Sequence, residues 1–420
     1  VGVIDFGSRN IRVLVAQRDE DGGIQVVGHG SAPGRGCISQ GVIQDHNAAQ
    51  AALKSALADA EKEARVRVDS VFCGINGRSV ETFIREGNVK LEDEVVEASH
   101  MAEARDIASR DILAAGKHLA SSITTQEWYV DDMRVIDPLG IHGQVLKTRM
   151  HFARFPAVIQ DNILSCVESQ RRDLEDLVFQ PLATAMGCLT PEDMELGVAV
   201  LDLGRSTTGL AVYRDYRVLG THCFEWGGYH ITRDVAAGLR ISFEEADELI
   251  LEYGISERLI QEDFAADTTV SAIAVGAEDR MARVKLKTAV AGVPPLVDRA
   301  ELDMIIYERA KELMTKVRQM LHARGLSDSL VRGVVLTGGA STIRNYSALA
   351  EAVFDAPCRI GAAESVEILP HAAASPEYTG AVGLVRHAFE YRNAALHEDS
   401  EFSVRAIVQR CVEFVKRYFF

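Results

Sequence analysis

Val1-Gly2-Val3-Ile4-Asp5-Phe6-Gly7-Ser8-Arg9-Asn10-Ile11-Arg12-Val13-Leu14-Val15 is the stretch on which the reading of the fold turns. Its first five residues are an apolar strand, Gly7-Ser8-Arg9-Asn10 is a polar turn, and residues 11–15 are a return strand. Such a hairpin presents successive backbone N–H groups at its tip. The pattern returns at Val198-Ala199-Val200-Leu201-Asp202-Leu203-Gly204-Arg205-Ser206-Thr207-Thr208, with residues 209–213 as the return strand. Two copies of strand, Asp-x-Gly turn and strand, about 200 residues apart, predict two related halves facing one cleft.

A third apolar strand, 331–337, ends in Gly338-Gly339-Ala340-Ser341. Tight turns aim N–H groups at one point and make an anion nest, and glycine lets the backbone come close. Ser8, Thr207 and Thr208 add hydroxyl donors. Asp5 and Asp202 would repel a phosphate on contact, so their expected role is to hold a metal ion through its waters. Magnesium beside phosphates keeps several waters and suits that arrangement. Arg12 supplies a charge-assisted contact. Gly338-Gly339 before a helix lets the backbone pass close to a base or ribose.

Size and composition agree with such an assembly. The chain has 420 residues, 47% hydrophobic and 25% charged, which predicts more than one folded unit and excludes wholesale disorder. A net charge of -16 argues against sequence-independent nucleic-acid binding. The cysteines (37, 73, 166, 188, 223, 358 and 411) form no C-x-x-C pair and read as reduced thiols. No apolar run approaches the length of a membrane span.

Between the hairpins, residues 48–64 carry a helical apolar stripe at Ala49, Leu53, Ala56, Leu57 and Ala60. Residues 80–155 are charged, with a helix expected over 99–119 and strands over 144–151, and read as an inserted subdomain. The expected units are therefore 1–79 with 156–195, the insertion 80–155, and a second half 196–392. A linker, 393–402, precedes a final helix, 403–420. Helices are also expected over 157–170, 231–239, 243–253 and 299–324.

The final helix has an apolar face of Val404, Ile407, Val408, Cys411, Val415, Tyr418 and Phe419. Arg405, Arg410, Lys416 and Arg417 make it basic in an otherwise acidic chain. This composition fits a membrane-surface helix, a helix docked on the protein's own core, or a partner-binding helix.

The two hairpins with the late Gly-Gly-Ala turn resemble the actin, Hsp70 and sugar-kinase superfamily. Longer stretches resemble the FtsA family. They are Val27-Gly28-His29-Gly30-Ser31 through Arg35-Gly36, Gly41-Val42-Ile43-Gln44-Asp45, Phe179-Gln180-Pro181-Leu182-Ala183, Leu336 to Ile343 through Arg359-Ile360-Gly361, and Ala381-Val382-Gly383-Leu384. The resemblance covers nearly the whole chain. It implies an α/β, actin-like fold of two domains built on a duplicated ribonuclease H-like unit, with an inserted subdomain and a C-terminal amphipathic helix.

It also implies an ATP site with Mg2+, at most a slow ATPase, with nucleotide acting as an assembly switch. The implied nucleotide-binding residues are Asp5, Gly7, Ser8, Arg9, Asn10, Arg12, Asp202, Gly204, Arg205, Ser206, Thr207, Thr208, Asp247, Gly338, Gly339 and Ala340. Asp247 takes the acidic ribose position, and Asp5 and Asp202 hold Mg2+ through water. The implied partners are the division GTPase FtsZ, further copies of the chain in a filament, membrane lipid through residues 403–420 (with Lys416 and Arg417 beside the apolar face), and later division proteins through 80–155. FtsZ docks in the second domain, where residues 280–309 lie. The implied location is the cytoplasmic face of the inner membrane at the septum.

The sequence departs from the superfamily at the second turn. Arg205 and Ser206 replace glycines, and Gly209 stands at the position of a later Asp. Either the loop is reshaped or Arg205 contacts phosphate itself. Ile250 replaces the usual Lys of the adenosine helix, so slow hydrolysis is expected. A pilus-type actin-like protein, or a small-metabolite kinase on the same fold, is the alternative.

Overall fold

A computed structural model describes residues 1–19, 21–77, 79–92, 95–113, 119–264, 283–287, 296–363 and 371–398. Strands β1 (Gly2–Phe6), β2 (Asn10–Arg18) and β3 (Ile24–Pro33) form an antiparallel meander. Two short strands, β4 (Ile38–Ser39) and β5 (Val42–Ile43), lead to helix α1 (His46–Ala64). Asp45 caps α1 by accepting from the Ala48 N–H, and the buried stripe is the one read from the sequence: Ala49, Leu53, Ala56, Leu57 and Ala60. Helix α1 crosses to β6 (Ser70–Ile75), parallel to β1.

The chain then leaves this layer. Strand β7 (Glu81–Lys90), helix α2 (Ala98–Leu113), and strands β8 (Leu119–Val130), β9 (Met133–Val135) and β10 (Val145–Pro156) follow. They make a separate antiparallel sheet, ordered β7-β10-β8-β9, with its own small core around Ala104, Trp128 and Leu146. The helix expected over 99–119 is shorter in the structure. It ends at Leu113, and Leu119 opens β8, whose pairing with β10 overrides helix propensity. Helix α3 (Ala157–Ser169) brings the chain back to β11 (Asp173–Phe179), parallel to β6. The first sheet therefore has the order β11-β6-β1-β2-β3.

Helices α4 (Gln180–Cys188) and α5 (Pro191–Leu196) lead into a second meander, β12 (Val198–Leu203), β13 (Thr208–Arg214) and β14 (Arg217–Phe224). Then come α6 (Gly228–Leu239), α7 (Phe243–Tyr253), α8 (Glu257–Phe264), and the short pair β15 (Arg283–Lys285) and β16 (Leu296–Asp298). Helix α9 (Arg299–Ala323), strand β17 (Val334–Thr337), helix α10 (Tyr346–Phe354), strand β18 (Cys358–Ile360) and helix α11 (Thr379–Glu398) complete the described chain.

The second sheet is ordered β14-β13-β12-β17-β18, with the same antiparallel and parallel neighbours as the first. The duplication read from two hairpins thus extends to whole sheets. Period-two alternation divides β12 between two cores. Ala199, Leu201 and Leu203 face α6, α7, α9 and α10, whereas Val198 and Val200 join the core beneath the first sheet.

Helix α11, which the sequence reading grouped with the second half, packs on the first sheet. Ala381, Val382, Leu384 and Val385 meet Val3, Leu14, Phe72 and Val178. It crosses α4 so closely that a Cβ at Gly383 would lie 1.6 Å from the Ala183 carbonyl oxygen. Helix α11 also runs through to Glu398, where a linker was expected from residue 393. The final helix, 403–420, lies outside the described residues, and so does part of the region 280–309.

Candidate functional site

Three turns meet between the sheets. The first joins β1 to β2, the second joins β12 to β13, and the third follows β17. Each ends a buried apolar strand, so the sheet fixes its position. They border a cleft of about 1370 Å³, counting its open mouth. Asp5, Gly7, Ser8, Arg9, Arg12, Asp202, Gly204, Arg205, Thr207, Asp247, Gly338, Gly339 and Ala340 all line it. Asn10, Ser206 and Thr208 do not.

Those three have other tasks. Asn10 opens β2 and pairs with Pro33 of β3. The Ser206 hydroxyl meets the Ser8 hydroxyl at 2.6 Å across the cleft floor and accepts from the Gln40 N–H at 2.9 Å. Thr208 donates its hydroxyl to the Trp226 carbonyl at 2.7 Å. The second turn is further held by α6: Gly228 N–H donates to the Gly204 carbonyl at 2.9 Å and Tyr229 N–H to the Arg205 carbonyl at 2.8 Å.

Arg205 and Ser206 are not among the residues with positive φ, so ordinary L side chains fit this turn without strain. Only Gly338 among the glycines of the three turns has positive φ (82°). A Cβ there would sit 2.4 Å from Asp202 Oδ1, so the third turn closes directly on the second-half carboxylate.

The two aspartates occupy equivalent strand ends. Burial pushes the Asp5 carboxyl up to about 6, against the pull of Arg12 and with a further push from Asp202. Asp202 is also raised by burial, opposed by a hydrogen bond from Thr184 Oγ1 at 3.0 Å and by Arg12. Two buried carboxylates of depleted charge-compensation are a donor set that a hydrated divalent cation would satisfy. Among the described residues, no cluster of three or more Asp, Glu, His or Cys stands ready to ligate a metal alone. The remaining positions around such a cation would therefore fall to water and to an anionic ligand.

Arg12 braces the floor. Its Nη2 donates to Glu377 Oε2 at 2.5 Å, its Nη1 lies 3.6 Å from Asp5 Oδ2, and its guanidinium stands 5.2 Å over the Tyr378 ring. Its Nε is buried with no hydrogen-bond partner among the described residues. Arg205 stacks 4.7 Å over Tyr229 and lies 3.6 Å from Asp247 Oδ2. Burial lowers its guanidinium pKa, and the nearby charges of Arg35 and Arg9 add to that. Asp247, on α7, accepts from Thr232 Oγ1 at 2.6 Å. Ile250, Leu251 and Ile343 give the cleft apolar lining.

Several lining residues were not singled out from the sequence. Gln180, at the start of α4, is 5% exposed, and its Oε1 has no partner among the described residues. Its amide is wedged between Gly74 and Gly380, where a Cβ would lie 1.7 Å from Oε1 and 2.1 Å from Nε2 respectively. A buried amide oxygen without a donor, beside a polar cleft, is placed to accept from a bound water. The available signal was the Gln-Pro pair opening an apolar helix. Glu377 carried no signal, because its partner Arg12 lies far away in sequence.

A profile of the family described as "Cell division protein FtsA" matches residues 199–383. The "Cell division protein FtsA" of Pseudomonas aeruginosa is 28% identical over 388 residues, covering 92% of this chain and 88% of that protein. The Neisseria meningitidis protein of the same description is 28% identical over 393 residues (92% and 90%), and the Escherichia coli K12 one is 26% identical over 388 (92% and 90%). The chain resembles the FtsA family. Solved structures agree on the fold. The "PilM-PilN type IV pilus biogenesis complex" superposes with a TM-score of 0.62 at 16% identity, covering 92% of this chain and 98% of that one. MreB5 of Spiroplasma citri bound to ADP superposes at 0.52 with 13% identity (95% and 98%). The expected actin-like α/β fold is thus the observed one.

Proposed function

We propose that this chain is a cell division protein of the FtsA family, that it binds ATP with Mg2+ in the cleft, and that it assembles into filaments on the cytoplasmic face of the inner membrane at the septum. There it tethers FtsZ and recruits later division proteins. The observation that carries the nucleotide reading is the convergence of three glycine turns and two buried aspartates on one cleft. Support also comes from the fold neighbour MreB5, solved with ADP and with AMPPNP.

In this reading the turns at Gly7-Ser8 and Gly204–Thr207 take the phosphates through backbone N–H groups and hydroxyls. Arg9, Arg12 and Arg205 add cations, which answers the loss of a lysine at Ile250. Gly338-Gly339-Ala340 and the Ile250 wall take the nucleoside, and Asp247 takes ribose hydroxyls. Asp5 and Asp202 hold the waters of Mg2+, which supplies charge neutralisation for the phosphates. Gln180 accepts from a water in the cleft, so slow hydrolysis is compatible with the site.

The lipid contact is assigned to the basic amphipathic segment 403–420. Single helices of this kind bind reversibly, and a filament multiplies them through effective concentration. FtsZ docking is assigned to the second half around residues 280–309, and recruitment to the sheet inserted at 80–155. The test is electron microscopy of the protein on anionic lipid monolayers with Mg-ATP, beside a chain ending at residue 402. Ordered filaments that disappear with the tail support the reading. Equal assembly by both chains, or none by either, would sink it.

A further inference from the structure

We propose that Arg35 is a nucleotide-positioning residue supplied from the opposite half of the molecule. It clasps the Asp247 side of the cleft so that bound nucleotide and closed clasp stabilise each other. Arg35 lies between β3 and β4, in the first half. Its Nη1 donates to Glu244 Oε1 at 3.0 Å and its Nη2 to Asp247 Oδ2 at 2.8 Å. Both acceptors sit on α7 of the second half, three residues apart and so on one face of the helix. One planar guanidinium therefore spans the two halves with two separate charge-assisted bonds.

Asp247 is the shared element. It lines the cleft, and its Oδ1 accepts from Thr232 while its Oδ2 receives Arg35 at 2.8 Å and has Arg205 at 3.6 Å. A carboxylate has about four acceptor sites, so ribose hydroxyls can join it without displacing Arg35. Arg35 and a ribose would then hold one carboxylate from different sides, and that coupling is reciprocal. In the clasp, α7 parts from the Arg35 loop as nucleotide leaves. The floor contact between Ser8 and Ser206 is independent of this outer tie. The inference rests on the nucleotide reading above.

The ion pairs are half-exposed, with Arg35 at 40%, Glu244 at 71% and Asp247 at 19% side-chain exposure, so the effect is modest and the variants fold. The test uses the full chain with Mg2+ and etheno-ATP, a fluorescent analogue labelled on the base rather than the ribose, chased with ATP in a stopped-flow instrument. Wild type, Arg35→Ala, Glu244→Ala and the double variant are compared. Glu244 does not line the cleft, which gives the experiment its force. The clasp predicts that both single variants release nucleotide about two- to fivefold faster, with the double variant no faster than the faster single.

A general field effect predicts opposite signs, because one variant removes a positive charge and the other a negative one. Unchanged or slower release from Glu244→Ala, or an Arg35→Ala effect confined to association, overturns the clasp while leaving the nucleotide site standing. Folded wild-type protein that fails to bind etheno-ATP and ATP overturns both.

Discussion

Arg12→Met removes a charge from the cleft floor while keeping the bulk of the side chain. Arg12 is 7% exposed and serves Glu377 at 2.5 Å, Asp5 at 3.6 Å and the Tyr378 ring at 5.2 Å. Removing one partner of a buried pair costs about 3–5 kcal/mol. Two features reduce that here. The Glu377 side chain is 27% exposed and can regain water. Asp5, already raised to about 6, can take up a proton, which caps the cost of leaving it unpaired. A methionine over Tyr378 recovers part of the ring contact.

The expected loss is about 2–3 kcal/mol near pH 7.5 in the absence of nucleotide. Its pH dependence has a definite sign. Asp5 binds its proton more tightly when folded, so its favourable contribution is full below the unfolded value of 3.8 and disappears as pH rises through about 6. Without Arg12 the folded value rises further, and the penalty of the variant is largest at neutral pH and shrinks toward pH 5. Hydrogen exchange of the β1 and β2 amides, with urea unfolding, measures it locally and globally. A penalty under about 0.5 kcal/mol, or one independent of pH, would refute the assignment of Arg12 as the brace of the carboxylate floor.

Other outcomes follow from separate parts of the molecule. His151 is 2% exposed, bonds to Thr221 Oγ1 at 2.9 Å, and is lowered from 6.5 to about 4 by burial and then by Arg149. Its stabilising contribution is present above 6.5 and is lost as pH falls toward 4, so wild type should lose about 2 kcal/mol more than His151→Gln between pH 7.5 and pH 5, read from urea midpoints. In Gly383→Ala the new Cβ would stand 1.6 Å from a backbone oxygen of α4, and a loss of about 3 kcal/mol in unfolding free energy is expected as α11 is pushed off. Ile407→Glu places a charge on the apolar face of the final segment, and binding to anionic vesicles should fall at least about tenfold in a sedimentation assay with ATP affinity unchanged.

The hairpins, the stripe of α1 and the limits of α7 were legible because their signals are local. Alternation and 3.6-residue periodicity each lie within a few residues. Strand β3 was quoted only as a family-like stretch, since its Gly28, His29, Gly30 and Ser31 hide the apolar alternation. The end of α2 was misplaced because the partner that makes Leu119–Val130 a strand is β10, which arrives later in the chain. The linker expected at 393 was overruled by good helix formers, Ala394, Ala395, Leu396 and Glu398, which let α11 continue.

The site divides in the same way. Asp5, Asp202 and the glycine turns announce themselves by spacing. Arg35, Gln180 and Glu377 acquire their roles only through placement, with contacts such as Arg35 to Asp247 spanning the two halves. Thr208 reads as a hydroxyl donor of the second turn and Ser206 is implied by the family resemblance; in the structure their hydroxyls bond to Gln40 N–H (Ser206) and to the Trp226 carbonyl (Thr208).

Nucleotide binding by the cleft is the claim on which the rest depends, and isothermal titration of the full chain with Mg-ATP tests it most directly. The account predicts saturable binding at one site per chain, weakened at least about tenfold in Asp202→Asn and in the absence of Mg2+. A folded chain that takes up no heat at millimolar ATP, or binding untouched by Asp202→Asn, would contradict it.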